Sequence, residues 1–213
     1  MMSRALAWVC LVLALVAPHL GVPFFLYPIA GLVLCRAALK LQGMRWPEVG
    51  VSGSRWRWSQ LVLGCVLGSV WGLVNFLVLG PWIVWLTGLR PDFSDFVFVQ
   101  RGVGSLLAAW SAAWLIGGLY EEWVFRGVLH ASLRRMTMPG RAGAVMAFLA
   151  TSSAFALYHV QLGIFGVINA ALLCLPLGLL QWRYRQQLAS LVGFHACSDM
   201  VALLLIPLGR MPG

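Results

Sequence analysis

Three short stretches hold nearly all the ionisable side chains found inside the long apolar runs of this chain. The first is Glu121-Glu122-Trp123-Val124-Phe125-Arg126, where two adjacent glutamates follow the uncharged run Gly102 to Tyr120. That run is about as long as a bilayer is thick. The second is Phe155-x-x-x-His159 and the third is His195-x-x-x-Asp199. A charged side chain within hydrocarbon is costly unless it is paired, neutralised or facing water, so each such group is a functional candidate.

Spacing narrows the chemistry. On an α-helix Glu122 and Arg126 are four apart and share a face, which suits an internal ion pair; Glu121 then points about 100° away and needs a partner from another helix. His195 and Asp199 likewise share one face, and the simplest account of them alone is a pair offsetting each other's burial. Together, two imidazoles and two carboxylates suit two chemistries. In one, Glu121 takes a proton from water, His159 orients that water and His195 stabilises a developing oxyanion. In the other, a divalent metal such as zinc is held by His159, His195 and Asp199, with Glu121 as base or fourth ligand. Both lead to hydrolysis inside a membrane. His19, Asn75 and Asn169 read as helix-end or interhelical hydrogen-bonding groups.

The elements that must position these groups follow from composition. The chain of 213 residues is 61% hydrophobic and 10% charged, with mean hydropathy +0.88. A soluble domain of this size could not hide so much apolar surface, and long uncharged runs point to helices rather than a β-barrel. The expectation is an all-α polytopic bundle forming one membrane domain over 1–213, with N-terminal helices to 100 and a core at 101–208 carrying the motifs. Seven helices are expected at 5–19, 23–40, 59–79, 103–135, 142–160, 164–181 and 188–206, with 82–89 lying at the interface. With the N-terminus in the cytoplasm, twelve of the fifteen Lys and Arg fall on the inner side, Arg55 and Arg185 among them, leaving Arg90, Arg101 and Arg210 outside. This placement accounts for the net charge of +9 without a nucleic-acid partner. The five cysteines lie in apolar runs with no Cys-x-x-Cys and read as small buried hydrophobes.

Glu-Glu-x-x-x-Arg, then Phe-x-x-x-His, then His-x-x-x-Asn/Asp, each on its own hydrophobic segment and in that order, resembles the CPBP family. These are the CAAX-prenyl-endopeptidase and bacteriocin-processing (Abi) membrane proteins. The resemblance covers about residues 102–206. It implies an intramembrane endopeptidase in which Glu121 is the water-activating base assisted by His159, while His195 and Asp199 form the oxyanion side and Glu122 and Arg126 support them. A glutamic, cofactor-free type is favoured over a metalloprotease. Asp199 stands where prenyl-protein peptidases have asparagine, and an ionised aspartate cannot donate to an oxyanion.

The expected substrate is a membrane-anchored protein or peptide, with C-terminal sorting or CAAX-like tails as candidates, and the expected location is a bacterial inner membrane. The competing readings are a transporter or proton relay built on Glu121 and the histidines, and a bacteriocin-immunity protein.

Overall fold

A computed structural model describes residues 2–51, 56–184 and 187–207, so Arg55, Arg185 and Arg210 lie outside the described residues. The described residues form helices and turns with no strand. Seven helical rods follow in order: α1 (Met2–Val16), α2 (Tyr27–Leu41), α3 (Trp58–Thr87), α4 (Val103–Arg134), α5 (Gly140–Tyr158), α6 (Gly163–Arg183) and α7 (Ala189–Leu205). By length and composition α3, α4, α5, α6 (from Val160) and α1 (with its trailing 3-10 turn Ala17–Leu20) are long and apolar enough to cross a bilayer. The 15 residues of α2 and 17 of α7 are shorter than the ~20 that such a crossing needs.

Helix α2 starts at Tyr27 rather than at 23, and the end of α3 differs most from expectation. Gly80-Pro81 does not end α3, and 82–89 is not a separate interfacial piece, because the helix runs on to Thr87. Pro81 has no N–H to give the preceding turn, which would ordinarily break the ladder. The turn before it, Asn75–Leu79, is wound as a π-helix, and Gly80 donates its N–H five residues back to the Asn75 carbonyl. This wider turn lets the rod absorb the proline. The rod stops at Gly88, whose left-handed φ of 70° and N–H bond to the Val84 carbonyl (2.7 Å) close it.

The centre of the bundle is α7, held between α3 and α4. Gly64, Gly68 and Gly72 recur every four residues along one face of α3. A Cβ added at Gly64 or Gly68 would collide with the carbonyl of Ser190 or Phe194, and one at Gly72 would stand 2.8 Å from that of Ser198. The two helices therefore run parallel and in step, backbone against backbone. Within hydrocarbon there is no water to expel, so dispersion across such close approach supplies the attraction. The opposite face of α3, including Val62, Val66, Val70 and Leu77, is exposed, as a lipid-facing surface should be.

On the other side, Gly118 of α4 lies against α7, where a Cβ would be 3.0 Å from Ala196 Cβ and the Val192 carbonyl. Helices α1 and α2 pack on α4 through Tyr120, which donates its hydroxyl to the Ala14 carbonyl (3.4 Å) and meets Tyr27 edge-on. At one end Arg135 donates to the Gln42 carbonyl (2.6 Å) and Gln42 to Ser132 (3.0 Å), tying the loop after α2 to the end of α4. Described residues of 41–51, 56–57, 132–141, 183–184 and 187–189 meet at this end, which gathers Arg45, Arg57, Arg134, Arg135, Arg141 and Arg183. Asn75 and Asn169, expected to bond between helices, leave their Oδ1 atoms buried without a partner among the described residues.

Candidate active site

The stretch of α4 from Ala113 to Leu129 is wound as a π-helix and contains both glutamates and Arg126. Its wider turn makes neighbouring residues diverge by less than the ~100° of an α-helix. Glu121 and Glu122 therefore diverge somewhat less than α-helical geometry sets, and their carboxylates flank the same imidazole of α7. His195 Nδ1 lies 2.7 Å from Glu122 Oε1, while its Nε2 lies 3.9 Å from Glu121 Oε2 and 3.6 Å from Asp199 Oδ2.

Hydrogen bonding fixes where the imidazole protons sit. A carboxylate can only accept, so His195 Nδ1 donates to Glu122. His159, at the C-terminal end of α5, donates Nδ1–H to the Phe155 carbonyl (2.8 Å), the residue four before it in its motif. That leaves His159 Nε2 facing Glu121 Oε2 at 3.9 Å. Each histidine is thus held through Nδ1 and presents Nε2 to Glu121. Glu121 Oε2 is buried and has no hydrogen-bond partner among the described residues.

Arg126 backs this centre. It pairs with Glu122 Oε1 at 3.2 Å, both side chains being buried. Its other Nη donates to Cys174 Sγ (3.4 Å), and its guanidinium lies 3.9 Å from the centroid of the Phe155 ring. Gln181 of α6 donates to the Arg126 carbonyl at 3.2 Å. Phe155 fills the space between, its ring centroid 4.6 Å from that of His159 and 5.7 Å from that of His195. The expected Glu122–Arg126 pair is present, and it does more than neutralise itself because Glu122 also grips His195.

Helix α4 continues past Arg126 to Arg134, so Glu121 lies well inside the rod, beside His159 at the end of α5. His19, at the end of the turn after α1, meets Tyr158 edge-on at 5.4 Å, a helix-end position as expected.

The site is not equally closed on all sides. The side chains of His195 and Glu121 are 3% and 9% exposed, whereas those of His159 and Asp199 are 18% and 39% exposed. Asp199 owes its position to Gly117 of α4, where a Cβ would stand 2.7 Å from Asp199 Oδ2.

As a metal site the donor set fits only in part. Glu121 Oε2 stands 3.9 Å from Nε2 of both histidines, wider than two zinc ligands at ~2.1 Å make at a tetrahedral angle, whereas the 3.6 Å between His195 Nε2 and Asp199 Oδ2 is compatible with one. Among the described residues no group of three or more His, Cys, Asp or Glu is arranged to hold a metal ion.

All six residues singled out by their spacing are thus in one cluster, and they lie inside a segment that matches a family model. Residues 103–201 match the family model described as Rce1-like: type II CAAX prenyl endopeptidase Rce1-like. This segment is similar to that family, and the match covers just under half of the chain. The match agrees with the resemblance to the CPBP proteases drawn from the three motifs. No curated protein and no solved structure matches the chain.

The matched segment starts with α4 and ends inside α7, so α3 lies outside it. Sequence reasoning missed Gly117, Cys174, Gln181 and the glycines of α3. The signal for the last was visible as Gly64-x-x-x-Gly68-x-x-x-Gly72 in an apolar run. Nothing local to Gly117, Cys174 or Gln181 sets them apart from neighbouring residues.

Proposed function

We propose that the protein is an intramembrane endopeptidase that hydrolyses peptide bonds of membrane-anchored proteins or peptides with a water activated by Glu121. The observation that carries this reading is the buried, unpartnered Glu121 Oε2, set 3.9 Å from Nε2 of both His159 and His195. Separations of this size accommodate one bridging water. Glu121 takes the proton of that water as it attacks the carbonyl, and His159 Nε2 accepts a hydrogen bond that orients it.

The tetrahedral intermediate carries a negative oxygen that needs a donor. His195 supplies it from Nε2 as an imidazolium, with Glu122 at Nδ1 and Asp199 beside Nε2 balancing its charge. This gives Asp199 a role that does not require it to donate: it positions and compensates His195. The proton taken by Glu121 then passes to the leaving amine, which restores the site. The match to a prenyl endopeptidase family supports proteolysis, and C-terminal tails at the bilayer surface are the substrates this reading favours. A glutamic mechanism without a cofactor is the form of this reading we favour, and a metal held by His159, His195 and Asp199 is its alternative.

The test is cleavage of membrane-anchored peptide reporters by purified protein in liposomes. Wild type, Glu121→Gln and His195→Ala are compared with and without a strong chelator. The expected result is cleavage lost in both variants and indifferent to chelation. Cleavage that survives Glu121→Gln sinks the mechanism, and cleavage abolished by chelation and restored by zinc replaces it with a metal-dependent one.

A further inference from the structure

Because α3 and α7 run parallel, their N-termini lie side by side at the basic end of the bundle, away from the catalytic cluster. Helix N-termini carry unsatisfied N–H groups and a partial positive charge, and two of them in parallel reinforce rather than cancel each other. Neither has a side-chain cap, and neither has an acidic residue in its first turn. Arg57 sits at the N-cap of α3 and Arg183 ends α6 beside them.

Between these ends is a cavity of about 340 Å³ lined by Gln60, Arg183, Tyr184 and Gln187. The Arg183 guanidinium lies 5.3 Å from the centroid of the Tyr184 ring. Gln60 is only 9% exposed, yet its Oε1 has no hydrogen-bond partner among the described residues, and the same holds for Gln187 Oε1. A buried amide oxygen without a donor is a standing cost that a ligand donor would relieve. The cavity therefore asks for two things at once. Arg183 and the helix ends suit an anion, while the two amide oxygens suit a hydrogen-bond donor.

We propose that this junction binds the headgroup of a glycerophospholipid whose phosphate carries a donor-bearing arm, an ammonium or a hydroxyl. The phosphate lies against Arg183 and the two helix ends. The arm reaches the amide oxygens of Gln60 and Gln187. Choline headgroups offer the same phosphate without an N–H or O–H donor, and so lack half of the recognition. The site is independent of the proteolytic reading, since it depends on lipid retention alone.

The experiment uses the full chain, delipidated in detergent and examined by native mass spectrometry. The probes are phosphatidylethanolamine, phosphatidylglycerol and phosphatidylcholine of matched acyl chains, and soluble glycerophosphoethanolamine as competitor. The expected result is retention of the ethanolamine or glycerol lipid about tenfold above the choline lipid, reduced about tenfold by Arg183→Ala and by Gln60→Leu. Displacement by the soluble competitor identifies the headgroup as the part recognised, and displacement only by whole lipid shifts recognition to the acyl chains and overturns the proposal. Equal retention of all three lipids, or retention unchanged in both variants, also overturns it. Unfolding temperatures are measured alongside. If Gln60→Leu does not fold, Gln187→Leu at the cavity wall takes its place.

Discussion

Glu122 Oε1 serves two partners at once, His195 Nδ1 at 2.7 Å and Arg126 at 3.2 Å, so one buried carboxylate links helix α7 to the cation of α4. Geometry around the imidazole therefore depends on a residue that need not touch the substrate.

Glu122→Gln keeps the shape and removes the charge. The amide oxygen can still accept from both partners, but without the negative charge both hydrogen bonds weaken and His195 is held less firmly in its orientation. A fall in kcat of about 10²-fold is expected, with KM little changed. Steady-state kinetics on an anchored reporter measures the split, and a change confined to KM refutes the orienting role.

Arg126→Met leaves Glu122 ionised and buried without its cation. Breaking such a pair costs about 3–5 kcal/mol. The expected outcome is a marked loss of stability in detergent, followed by denaturant or thermal unfolding. Adding Glu122→Gln to the same chain should recover most of the stability but none of the activity. If the double variant is as unstable as Arg126→Met alone, the lost contacts to Cys174 and Phe155, rather than the stranded charge, set the cost.

Gly117→Ala places a methyl where Asp199 Oδ2 stands, 2.7 Å from its ideal position. The aspartate must move away from His195. Activity is expected to fall at least about tenfold while the fold is retained, because overpacking of this kind costs about 1–3 kcal/mol. Full activity in Gly117→Ala would show that the Asp199 position is not used.

Gly68→Leu forces α3 away from the Phe194 backbone and is expected to lower stability and activity together. Gly104→Ala, also on a helix but with nothing within 4 Å of the added atom, is the matched control and should be neutral or slightly stabilising. Equal behaviour of the two variants in an unfolding assay would refute the role assigned to close packing.

The motif spacings were enough to bring Glu121, Glu122, Arg126, His159, His195 and Asp199 into one neighbourhood, because charge inside an apolar run has few affordable explanations. The rods were legible for the same reason. The winding of α4 was not, since a π-helix and an α-helix present the same apolar composition and differ only in how far each step turns. That difference narrows the angle between Glu121 and Glu122, whose carboxylates flank one imidazole. Gly80-Pro81 misled in the opposite direction. Two strong punctuation residues announce a stop, and only the preceding π-turn, which depends on tertiary fit, shows that the helix passes through them.

The backbone contact between α3 and α7 also bears on what can be transplanted. His195 and Asp199 are displayed by a helix whose far side is seated on three glycines from a region outside the matched segment. A chain trimmed to residues 103–201 would retain every chemically reactive group and lose the wall they lean on. The smallest portable unit of this chemistry therefore begins no later than Trp58, and grafts that honour the motifs alone will carry the reagents without the bench.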